Sequence, residues 1–151
     1  MTLAHKYGTR SQFKLNGCHP TMQLIAIKAL ELSPYDITII SGWRGEEVQN
    51  ALFAAHASTK QFPDSRHNMS DDEDCPKPLT TSDAVDFAPY VDGRIMWGDT
   101  HIFAVVAGCF MAAAELLGHT LRWGGDWDSD GTTTDQTLMD WGHVEIMWSE
   151  R

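Results

Sequence analysis

The stretch Asp83–Trp97, DAVDFAPYVDGRIMW, reads as a strand, an Asp92-Gly93 turn and a second, short strand. Two strands in succession break any strict alternation of strand and helix, and the neighbouring segments keep the order mixed. Downstream, Thr100–Leu117 has the pattern of a helix ending at Gly118 as a C-cap. LRWGGDWDSDGTTTDQT, residues 121–137, opens as a short strand and becomes a polar loop, and WGHVEIMW, residues 141–148, closes the chain as a strand. Upstream, Pro20–Leu32 places Leu24, Ile25, Ile27, Ala29 and Leu30 on a helical face, begun by His19 or Thr21 and ended at Ser33-Pro34. DITIISGWR is a β-branched run ending at Gly42, and EEVQNALFAAHAS is helical again. The fold class is therefore α+β.

Residues 1–17 are polar, contain Gly8 and Gly17, and read as a loop or loosely packed arm. Phe62–Ser82 carries Pro63, Pro76, Pro78 and the acidic run Asp71, Asp72, Glu73, Asp74, the composition of a long, exposed and mobile loop. The chain of 151 residues is expected to form one domain, 1–151, with an acidic insertion at about 68–82.

A formal net charge of −10 argues against nucleic acid or an anionic membrane as partner, since both require a basic face. With 42% hydrophobic residues and a mean hydropathy of −0.30 the composition is that of a soluble globular protein. Cys18, Cys75 and Cys109 are too few and too scattered for a disulfide framework or a four-cysteine zinc site. No segment is long and apolar enough to span a bilayer, and the N-terminus lacks the apolar core of a signal peptide, so the expectation is a protein that does not export itself.

The chemistry concentrates in His67, Asp86, His143 and the acids near them. Asp86 lies between Val85 and Phe87, where a lone carboxylate is costly unless it is paired or binds a cation. Strand alternation puts His143 and Glu145 on one face and Val144 and Ile146 on the other, with Asp140 three residues before the histidine. Histidine and aspartate are ordinary zinc ligands, and a catalytic zinc site needs three protein ligands and a water. By themselves these residues fit a hydrogen-bonded core histidine as well as a metal site.

Taken together, SRH (Ser65–His67), DAVDFAPY (Asp83–Tyr90), DWGHVEI (Asp140–Ile146) and SGWRGEEVQ (Ser41–Gln49) resemble the zinc-dependent M15 peptidases. ALELSPYDITIISG and LRWGGDWDSDG are most similar to the phage endolysin branch, whose members are L-alanyl-D-glutamate endopeptidases. The resemblance runs from about Leu24 to Ile146. It implies a small Hedgehog/DD-peptidase-like fold of mixed helices around a central antiparallel sheet. It implies His67, Asp86 and His143 as zinc ligands, Asp140 as general base and Arg44 as the cation that steadies the oxyanion. Gln49 and Ser65 match supporting positions. The implied partner is the peptidoglycan stem peptide, met by a monomer made in a bacterial cytosol and released to the wall through a separate pore protein.

The match departs from the family between His67 and Asp86. There the family has S-x-H-x-x-G-x-A-x-D; here the run is much longer, and Ser82 stands where a glycine is expected. His56, His101 and Cys75 are the fallback ligands. In DWDSDG, residues 126–131, Asp126, Asp128 and Asp130 reproduce the first half of an EF-hand calcium loop, but the twelfth position holds Thr137 instead of glutamate. Trp43, Trp123, Trp127 and Trp141 adjoin site residues, as cleft lining or as packing. Two rival activities stand beside the endolysin reading: a D-Ala-D-Ala carboxypeptidase or dipeptidase of the same fold, and a metal-dependent wall-binding module without turnover.

Overall fold

The computed structural model describes residues 5–134 and 140–148. Its elements follow the order α1 (Thr9–Leu15), α2 (Pro20–Leu32), β1 (Asp36–Ser41), α3 (Glu46–Ala54), β2 (Ala84–Val91), β3 (Arg94–Ile95), α4 (Thr100–Leu116), β4 (Leu121–Trp123) and β5 (His143–Ile146). The strands form one antiparallel sheet in the order β1-β2-β5-β4, with β3 hairpinned onto β2. This is the α+β arrangement expected.

The hairpin forms because Asp92 and Gly93 both take positive φ, +50° and +76°, the backbone twist that two-residue turns need. In α2 the His19 ring accepts the Thr21 N–H and Pro20 occupies the first turn, where a missing N–H costs nothing. Helix α4 begins with the Asp99 carboxylate accepting the Ile102 N–H, and Gly118 at φ +82° follows its end.

Helices α2 and α4 pack together over one face of the sheet. Met22, Ile25, Ala26 and Ala29 meet Phe103, Val106, Ala107 and Phe110, and the sheet adds Ile39, Val85, Phe87, Val144 and Ile146. Phe87 stacks on Phe110 with centroids 4.8 Å apart. The inner face of α2 differs from the expected one: Leu24 and Ile27 are more than half exposed, and Met22 and Ala26 replace them inside.

Residues 9–15 are not a loose arm but helix α1. Its inner side is made of Ser11 and Leu15, and before it the Tyr7 hydroxyl donates to the Ala26 carbonyl at 2.7 Å. The acidic stretch is irregular, with a single 3-10 turn at Pro78–Thr80, yet it is anchored rather than exposed throughout. Asn68, Ser70, Asp72, Cys75 and Ser82 are buried. Asp72 takes a 2.8 Å bond from the His19 ring, and Ser82 bonds back to Gly17 and Ala84. Among the described residues no helix is long and apolar enough to cross a membrane.

Candidate metal centre

Sheet register brings the first two residues together. Asp86 on β2 is directly opposite His143 on β5, and β1 faces Asp86 from the other side at Ser41. The loop bearing His67 is pinned beside them, because its carbonyl accepts the Arg44 N–H at 2.8 Å and its ring Nδ1 donates to the Gly42 carbonyl at 2.8 Å. The long excursion from His67 to Asp86 therefore closes on itself in space. His67 Nε2 lies 3.1 Å from Asp86 Oδ1, His143 Nδ1 lies 3.0 Å from the same oxygen, and the two ring nitrogens are 3.3 Å apart. His56, His101 and Cys75 are not part of this cluster.

The outer hydrogen bonds decide what these three atoms offer. A carbonyl only accepts, so His67 carries its proton on Nδ1 and turns a lone pair on Nε2 inward. His143 Nε2 donates to Glu145 Oε1 at 2.8 Å, which leaves its Nδ1 as a second inward lone pair. With Asp86 Oδ1, three acceptors then meet at one point, an arrangement that requires a cation or an extra proton. Burial would lower the pKa of His143, but its bonds to Asp86 and Glu145 push it up to about 10. Burial would likewise raise Asp86, and the two histidines outweigh that and hold it well below the carboxylate range. Two imidazole nitrogens and one carboxylate oxygen, with both rings braced from behind, are a donor set suited to zinc.

Around the cluster lies an open cleft of about 1270 Å³ lined by Arg44, Ser65, Trp127 and Asp140, among others. Burial and the neighbouring Asp86 charge raise the pKa of Asp140, with His143, His67 and Arg44 pulling against them. Arg44 does not pair with Glu46 or Glu47. It reaches inward, with Nη2 3.1 Å from Asp86 Oδ2 and Nη1 3.4 Å from Gln49 Oε1. Gln49 is fully buried and its amide donates to Ser58 Oγ and the Lys60 carbonyl. Ser65 Oγ accepts the His67 N–H at 3.2 Å, so it sets the backbone under that ring.

Two residues at this centre lie outside the sequence reading of its roles. Asn68, also fully buried, donates to the Arg44 carbonyl and to Gln49 and accepts the Ser65 N–H. Glu145 was visible as the same-face neighbour of His143, but its bond to the ring was not. Of the tryptophans, Trp43 and Trp127 line the cleft, Trp123 is buried in the core, and Trp141 packs against it.

The Asp126, Asp128 and Asp130 carboxylates also converge, on an exposed turn. Asp126 accepts the N–H groups of Asp130 and Gly131, and Asp130 accepts that of Thr132, so the turn closes on its own backbone. Thr137 lies outside the described residues.

The chain is 37% identical over 150 residues to the L-alanyl-D-glutamate peptidase of Escherichia phage T5, covering 96% of this chain and all of that one. Its fold matches the crystal structure of the Serratia marcescens L-Ala D-Glu endopeptidase ChiX with a TM-score of 0.74, at 24% identity, over 97% of this chain and 93% of that one. The profile of the phage L-alanyl-D-glutamate peptidases matches residues 3–147, and the chain belongs to that family.

Proposed function

We propose that the chain is a zinc-dependent peptidase of the M15 type that cuts the L-Ala–D-Glu bond of peptidoglycan stem peptides and so lyses bacteria as an endolysin. The observation that carries this reading is the convergence of His67 Nε2, His143 Nδ1 and Asp86 Oδ1, with tautomers braced for a cation, in the cleft that Asp140 and Arg44 also line. Membership of the peptidase family supports the bond and the substrate.

In this reading His67, Asp86 and His143 hold the ion. Zinc, when bound, lowers the pKa of water to about 7 and polarises a carbonyl. Asp140 takes the proton from the attacking water and passes it to the leaving amine, a role its raised basicity favours. Arg44, held by Asp86 and Gln49, presents a fixed positive charge to the oxygen that becomes negative; one such donor is typically worth roughly 3 kcal/mol. Gln49 and Ser65 keep Arg44 and His67 in place. The whole of 1–151 acts as one catalytic domain and as a monomer. It is made in the bacterial cytoplasm and reaches the wall through a pore formed by another protein. Calcium would bind at the Asp126–Asp130 turn as a regulator; a calcium titration that leaves amide spectra and rate unchanged removes that part of the proposal.

The test is digestion of defined muropeptides, with chelator and zinc add-back, read by mass. The expected result is a new amino group on D-Glu, lost with chelator and restored by zinc. Release of D-alanine instead, or binding to the wall with no product from the zinc-loaded protein, overturns the reading.

A further inference from the structure

We propose that Glu145 is a positioning residue of the metal centre: it locks His143 in the tautomer that turns Nδ1 toward the ion, and it couples the two segments that carry the histidines. This inference rests on the metal reading above.

Glu145 sits two residues beyond His143 on the same face of β5 and is 3% exposed. Its two oxygens do different things. Oε1 accepts the His143 Nε2 proton at 2.8 Å. Oε2 lies 2.9 Å from Arg122 Nη2 and 3.5 Å from Arg66 Nε. A carboxylate has no proton to give, so an imidazole facing it must place its own there, and the other nitrogen is left with a lone pair. Remove the carboxylate and both tautomers become open to the ring, and only one of them turns a lone pair to the ion.

The guanidiniums explain how a carboxylate can stand in this interior. A buried charge is tolerated only when paired and hydrogen-bonded. Arg122 comes from β4, directly opposite Glu145 in the sheet register. Arg66 comes from the irregular stretch and is the residue before His67, and it also pairs with Asp71. One carboxylate therefore ties the strand holding His143 to the segment holding His67. Among the described residues the Glu145 carboxylate bonds to His143, Arg122 and Arg66 and not to Asp86 or Asp140, so its effect passes through His143.

The experiment uses the full chain and its Glu145→Ala, Glu145→Gln and Arg122→Ala variants. Zinc affinity is measured by competition with a chromophoric chelator, and His143 is observed by long-range proton–nitrogen NMR of the zinc-loaded protein. Circular dichroism without zinc reports folding. Wild-type protein is expected to bind zinc with the His143 proton on Nε2. Loss of zinc affinity by roughly 10- to 100-fold is expected in Glu145→Ala, in the range known for such outer partners. Glu145→Gln, whose amide can donate as well as accept, keeps the shape and is expected to weaken binding and mix the tautomers. Arg122→Ala should lose less affinity and keep the proton on Nε2. Folded Glu145 variants that bind zinc as tightly as wild type overturn the inference. So does a wild-type His143 that ligates through Nε2, a result that needs no variant to fold. Wild-type protein that binds no zinc overturns the metal reading itself, and that is measured first.

Discussion

Asp86 and His143 oppose each other across the β2–β5 pair, and their facing atoms, Oδ1 and Nδ1, stand 3.0 Å apart. If both hold the proposed zinc, the ion would be a cross-link between the middle strands of the sheet. Zinc is therefore expected to raise the melting temperature. At a hundred-fold excess over the dissociation constant the gain is about 2.7 kcal/mol, or roughly 5–10 °C for a chain of this size. Asp86→Ala should abolish the zinc-dependent shift, read by differential scanning calorimetry with and without chelator. An equal shift in the variant would remove Asp86 from the ligand set.

Asp140 shares the cleft with the proposed ligands and meets them through its backbone, its carbonyl accepting the His143 N–H at 3.2 Å, which leaves its carboxylate to act on its own. Asp140→Asn is expected to keep zinc affinity within a few-fold of wild type while lowering kcat on a defined muropeptide by about 10²- to 10⁴-fold, the usual range for a general base. Chelator competition and steady-state kinetics on the same preparation separate the two. A loss of zinc binding parallel to the loss of rate would make Asp140 a ligand instead.

Gln49 is a fully buried amide joining Arg44, Ser58, Lys60 and Asn68. Gln49→Ala leaves several of those polar groups without partners, so a loss of about 1–3 kcal/mol of stability is expected, with a fall in kcat/KM as Arg44 loosens. Urea unfolding and kinetics measure the two. Unchanged stability would show that the surrounding groups find other partners.

The elements that were legible in the sequence are those with local causes. Helix α4 carries a long apolar repeat between Asp99 and Gly118, and the hairpin carries its own turn residues. Helix α1 was not legible, because its seven residues bury a serine and one leucine while Phe13 points outward, which leaves too little periodicity to read. The inner face of α2 was misread for a related reason: Leu24 and Ile27 look like core by type, but α4 meets the side with Met22, Ala26 and Ala29. His67, Asp86 and His143 could be paired only through the family resemblance, since sheet register and the return of the acidic stretch join them. The anchors of that stretch were hidden because each buried polar group answers a distant one, Asp72 to His19 and Asn68 to the Arg44 carbonyl.

Asp83 has a pH dependence opposite in sign to that of a paired surface carboxylate. Burial raises its pKa, and the opposing bonds from Ser70 and Trp148 and the charges of His19 and Arg66 do not cancel the rise. The native chain thus holds this proton more tightly than the unfolded chain. Its contribution is present below the unfolded carboxylate value of about 3.9 and is lost as pH rises through the higher native value. Stability of wild type relative to Asp83→Asn should fall across that window and then level off, measured by urea unfolding at a series of pH values. A difference that grows with pH would reverse the assignment.

The stretch between His67 and Asp86 has an inward and an outward side, and the outward side is an opening for protein engineering. Pro76 and Lys77 are exposed, while the ties at Asn68, Ser70, Asp72 and Ser82 hold the chain on either side of them. A targeting peptide grafted between Pro76 and Lys77 would ride on the catalytic body without pulling on either ligand. The same graft between Met69 and Ser70 would drag His67 from the Gly42 carbonyl. One irregular segment thus holds both a position open to cargo and a position that must stay native, seven residues apart.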